Sequence, residues 1–98
     1  MEIKAKRVMK VKNLYKTGKY RPDGYDSWVD YWESLSGILA NRCACHNCNV
    51  IGKENLKGAH VKKVDNPDNK WYIIPLCDSC NKRTDEFYVF DLLVPVNP

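Results

Sequence analysis

The chain has 98 residues, a formal net charge of +4, 44% hydrophobic residues and five cysteines. That is one domain, near the size at which a single apolar core needs a staple. Its start, Met1-Glu-Ile-Lys-Ala-Lys-Arg-Val8, has no apolar leader core, and no stretch approaches the ~18 apolar residues of a membrane span, so a cytoplasmic protein without a membrane partner is expected.

Residues 1–21 carry Lys4, Lys6, Arg7, Lys10, Lys12, Lys16, Lys19 and Arg21 against Glu2, a net +7 that leaves −3 on the other 77 residues. This reads as a basic N-terminal arm ahead of a single domain over 22–98. A basic arm suits an anionic partner, and nucleic acid is the commonest. Lys10 and Lys12 are its candidate contacts, with Tyr15 and Tyr20 placed to stack on bases. Arg21–Asp26 is dense in turn formers. Ser27-Trp-Val-Asp30 has the form of a capping box and opens a helix in which Trp28, Trp32 and Leu35 share one stripe, with Gly37 as its stop.

The strongest feature follows: Cys45-His-Asn-Cys48 and Cys77-Asp-Ser-Cys80, two pairs of equal spacing separated by 28 residues. A Cys-x-x-Cys bend presents two sulfurs on one side, and two such bends supply the four soft tetrahedral donors that Zn²⁺ prefers. A structural Zn²⁺ held by Cys45, Cys48, Cys77 and Cys80 is expected; disulfides and iron–sulfur ligation are the alternatives, and an odd cysteine count suits a bridged scaffold poorly. Cys43 reads as a spare thiol, because Cys-x-Cys is cramped, and His46 as a turn residue.

Between the pairs, Lys53–Gly58 reads as a connection, Gly58–Val61 as the start of a strand and Asp65–Asn69 as a turn. Trp71–Leu76 is rich in β-formers, with Pro75 marking an end or an edge. A helix is expected from Asp78 to about Glu86, and the alternation Tyr88, Phe90, Leu92, Val94, Val96 predicts one C-terminal strand. The fold class is therefore small α+β, stapled by a metal, with an added N-terminal helix and C-terminal strand.

The order Cys45-x-x-Cys48, Gly58-Ala-His60-Val61, Pro75-Leu76-Cys77-x-x-Cys80-Asn81 resembles the ββα-metal (treble-clef) module of the HNH endonuclease family, over about residues 45–86. The resemblance implies phosphodiester cleavage, DNA favoured over RNA, with His60 as general base and Asn81 helping to hold a divalent cation such as Mg²⁺. Lys62, Lys63, Lys82 and Arg83 would hold the nucleic acid. Two positions depart from the family's pattern: Ala59 stands where an acid usually ligates the cation, and Tyr72 where an Asn is usual. The alternative function is a catalytically inactive HNH-like module that binds nucleic acid or a protein partner.

Overall fold

Apolar and basic residues alternate in Met9-Lys-Val-Lys-Asn13, and that segment forms a strand, β1 (Met9–Asn13), which buries Val11 and Asn13 and leaves Lys10 and Lys12 on the opposite face. The structure, a computed structural model, describes residues 8–14, 22, 24–65, 68–90 and 93–96. The basic arm expected over 1–21 is thus corrected: its Met9–Asn13 stretch lies inside the sheet. The rest of that span, Val8 and Leu14 apart, falls outside the described residues, Tyr15 and Tyr20 included.

Helix α1 (Trp28–Ser36) begins as its sequence predicts. The Ser27 hydroxyl accepts from the Asp30 amide at 3.1 Å and donates to the Asp30 carboxylate at 2.9 Å. Gly37 ends it in the left-handed region, φ 73°, its N–H donating to the Glu33 carbonyl. Val29 and Trp32 are the buried positions, whereas Leu35 is 53% exposed, so the expected stripe is displaced toward the helix start. The helix lies across β2 (Leu56–Lys63), β3 (Trp71–Cys77) and β5 (Val94–Val96). Lys53 ties its outer side to the 3-10 turn Lys53–Asn55, reaching Asp30 at 2.8 Å and Glu33 at 2.7 Å.

The β-branched and aromatic runs form the central antiparallel pair, β2 with β3, registered from Leu56 opposite Cys77 to Val61 opposite Tyr72. β1 pairs with β2 on one side and with β4 (Glu86–Val89) on the other, which gives the order β4-β1-β2-β3-β5. The single C-terminal strand expected from sequence is instead two strands on opposite edges. Its first half also sits in the other register: Phe87 and Val89 are buried and Tyr88 is exposed. Pairing with β1 decides this, since Phe87 and Val89 stand opposite Val11 and Met9 on the core face. Helix α2 (Asp78–Asn81) is four residues long and does not reach Glu86.

The sheet is nearly closed by a segment outside it. The Ala44 amide donates to the Pro75 carbonyl at 2.9 Å, His46 N–H donates to Tyr88 at 2.8 Å, and Phe90 N–H donates to Ala44 at 3.2 Å. Residues 44–46 therefore bridge β3, beyond the end of β5, to β4 on the far edge. Pro75 is tolerated inside a strand because its carbonyl, and hence its missing donor, points toward this bridge and away from β2. Among the described residues, no helix is long and apolar enough to cross a membrane.

Gly58 shows why a residue without a Cβ stands in mid-strand. A Cβ there would lie 2.8 Å from the Val29 amide nitrogen and nearer still to Trp28, so the glycine admits α1 onto the sheet. Gly58→Ala should therefore cost about 1–3 kcal/mol, read as a lowered urea midpoint at unchanged metal content. A midpoint equal to wild type would mean that the helix packs less closely than described.

Candidate metal centre

Four sulfurs converge where the Cys43–Ile51 hairpin meets the end of β3. Arg42 and Ile51 form its bridge, Cys43 N–H donates to Val50 at 2.9 Å, and Asn47, at φ 67°, turns the chain so that Cys48 N–H reaches the Cys45 carbonyl at 3.2 Å. The hairpin places Cys43 and Cys48 against Cys77, the last residue of β3, and Cys80, on α2. The four Sγ atoms lie within 4.8 Å of one another, and those of Cys48 and Cys77 are 3.7 Å apart. Tetrahedral Zn–S bonds of about 2.3 Å put neighbouring sulfurs about 3.8 Å apart, so the cluster has the dimensions of a four-thiolate site. A disulfide would hold two sulfurs at about 2.05 Å, and all five cysteines are free thiols.

Electrostatics gives the same answer. Burial pushes the Cys43 thiol up to about 11 and raises Cys80 further. Burial opposes ionisation of Cys48 too, but the Val50 backbone and the neighbouring thiols outweigh it and lower its pKa. Four clustered sulfurs, three of them on buried residues, cannot all ionise at neutral pH without a cation among them, and thiolate is the form that binds metal. The donor set therefore fits a soft or borderline dication.

The sequence expectation is corrected at one ligand. Cys45 stands outside the group and Cys43 takes its place. The Cys45 backbone is spent on the bridge to Val89, and its Sγ receives the Arg83 Nη1–H at 3.3 Å. Cys43, two residues earlier, faces the cluster and accepts the Cys77 amide N–H at 3.3 Å. A signal was available: Cys43-x₄-Cys48 lies within the two to four intervening residues usual between zinc ligands. His46 is an exposed turn residue, as expected, and packs its edge against Phe90.

The surroundings are built as firmly as the ligands. The buried Asn13 amide donates to the carbonyls of Cys80 at 2.9 Å and Arg83 at 3.0 Å, fastening β1 to the α2 turn. Arg83 is gripped by Asp85 at 2.6 and 2.9 Å and lies over the Phe87 ring. Lys82 and Lys57 both pair with Asp78. Lys82 and Arg83, expected to hold nucleic acid, are thus engaged in ion pairs at the metal end. Asn81 closes α2, half-buried.

His60 lies on the sheet face beneath α1, 8% exposed, with the rings of Trp28 at 4.8 Å and Trp71 at 5.8 Å both nearly perpendicular to its own. Burial lowers its pKa, so the ring is neutral at pH 7. Ala59 points to the opposite, buried face, and Tyr72 donates its hydroxyl to Asp68, which also lies near Lys63. Lys12, Lys62 and Lys63 come together in a groove of about 440 Å³ that Lys70, Trp71, Asp68 and Glu86 also line. Lys10 borders it from β1, paired with Glu86 at 3.7 Å. Compared with protein-family models, curated proteins and solved structures, the chain matches none.

Two outcomes are expected. Elemental analysis should find one metal ion per chain; Cys43→Ser, Cys48→Ser, Cys77→Ser and Cys80→Ser should lose it together with cooperative unfolding, whereas Cys45→Ser keeps both. For His60 the folded pKa is depressed, so its contribution to stability is present above about pH 6.5, the unfolded value, and is lost as pH falls toward the folded one. His60→Phe should flatten the stability–pH slope below that point relative to wild type; parallel slopes would mean that the ring titrates normally.

Proposed function

We propose that this is a zinc-stapled nucleic-acid-binding module that does not cleave its ligand. Zn²⁺ is the ion assigned to the four cysteines: the donors are all sulfur, the dimensions are tetrahedral, and the protein ligands leave no open position for chemistry. Hairpin, strand pair and short helix carry these ligands in the order of the HNH module. That supports a likeness in scaffold.

The observation that carries the function is the cross-strand row on the half of the sheet that α1 does not cover. Lys12 stands opposite Lys62, with Trp71 on the next strand, and Lys63 and Lys70 on the rim. Four lysines against Asp68 and Glu86 leave the groove at +2. Like charges opposite one another destabilise a sheet, and a polyanion laid across them reverses the sign of that interaction. Lys12, Lys62 and Lys70 make no ion pair among the described residues.

Cleavage is disfavoured by the setting of His60. It sits in perpendicular contact with two tryptophan rings, its neighbour Ala59 offers no oxygen to a cation, and the turn acid Asp68 is engaged by Tyr72 and Lys63. A general base must reach the proton it takes, and α1 lies over this one.

Fluorescence anisotropy with labelled polynucleotides tests the reading. Affinity should fall steeply with salt, and Lys12→Glu with Lys62→Glu should weaken binding at least tenfold and flatten the log–log salt slope by about 0.7–0.9 per lost contact. Lys82→Glu should change affinity less than twofold. Supercoiled plasmid should stay intact with Mg²⁺ or Mn²⁺; nicking by wild type that His60→Ala abolishes would reinstate the nuclease.

A further inference from the structure

We infer that the groove takes single-stranded nucleic acid, seating an unpaired base on Trp71 while Lys62 and Lys12 carry the adjoining phosphates. The inference rests on the nucleic-acid reading above and adds to it which form of the polymer is bound.

Its basis is the way one sheet face is divided. α1 covers the part of that face holding Gly58 and His60. His60 then stands perpendicular to Trp71, so the tryptophan lies at the border of the part that α1 covers. Trp71 is half-buried and lines the groove, and Lys62 and Lys12 continue the row away from it across β2 and β1. Neighbouring strands lie about 4.8 Å apart, so an aromatic ring and two cations are set out in steps shorter than the length of one nucleotide with its phosphate.

A purely phosphate-reading surface needs only the lysines. The indole adds something useful to a base that has left its stack, since base–aromatic stacking contributes about 1–3 kcal/mol per base and tolerates every sequence. A duplex keeps its π-faces turned inward and offers a groove of this size only backbone. The volume of about 440 Å³ is within the range of pockets that hold a molecule of nucleotide size, and the groove walls are part polar and part apolar. Asp68 belongs to the same site: it accepts from the Lys70 amide and the Tyr72 hydroxyl, which fixes the turn carrying Lys70 beside Trp71.

The test uses the full chain with its metal, and a short oligothymidylate, the matching oligouridylate and a mixed-sequence duplex of equal length. Either single strand should bind at least tenfold tighter than the duplex, with quenching of tryptophan emission. The two oligonucleotides distinguish the sources, because only the ribose form offers a 2′-hydroxyl. Trp71→Leu should lose about tenfold on the single strands and nothing on the duplex. Trp71→Phe, which keeps a ring, should recover most of the loss, and both variants should retain metal. Duplex binding equal to single-strand binding, insensitive to both variants but sensitive to Lys12→Glu with Lys62→Glu, would overturn this inference and leave the broader reading intact. Absence of binding to all three polymers would overturn both.

Discussion

Convergence of Cys43 and Cys48 on Cys77 and Cys80 is the constraint on which the rest depends. It joins the hairpin after α1 to the point where β3 turns into α2, two places far apart in sequence whose buried residues also belong to the apolar core. The same hairpin carries residues 44–46, whose backbone bridges β3 and β4. Separation of the four sulfurs would therefore release more than a loop: it would leave the sheet open along the side that these hydrogen bonds close. In a chain this small, the free energy of metal binding is also folding free energy.

Charge is partitioned along the molecule. At the metal end the basic residues are paired, Lys57 and Lys82 sharing Asp78 and Arg83 holding Asp85, and Arg83 also faces a sulfur. That arrangement suits a site whose four thiolates and one dication sum to −2. At the other end of the sheet, Lys12, Lys62 and Lys70 are left exposed or half-exposed beside an aromatic ring. Gly58 links the halves, because by admitting α1 over His60 it fixes where the covered surface stops.

What the sequence reveals divides along the same physical line as local and distant interactions. The Ser27 cap, the Gly37 stop, the β2–β3 pair and the existence of a four-cysteine site are written in short-range patterns, and all are found. Which cysteine completes the four is not local: it depends on Cys45 pairing with Val89, 44 positions away. β1 was hidden because lysines at alternate positions make a strand look like a charged arm, and only its neighbours Lys62 and Glu86 reveal the sheet. The residues around Tyr88 support either of two alternations, and burial against Val11 selects between them. Lys12, Lys62 and Lys63 are candidates from sequence, but their convergence with Trp71 in one groove is not legible there, since its lining comes from four strands and a turn.

The position of β1 between β2 and β4 bears on how the chain is born. Both its partners are made later, the farther ending at Val89. At translation rates of about 5–20 residues per second, the nascent strand waits roughly 4–16 s for its last neighbour. All four metal-binding sulfurs have been synthesised before that neighbour is complete. The strand between β2 and β4 thus joins parts of the chain made at very different times, and its Asn13 amide fastens onto the turn that carries Cys80.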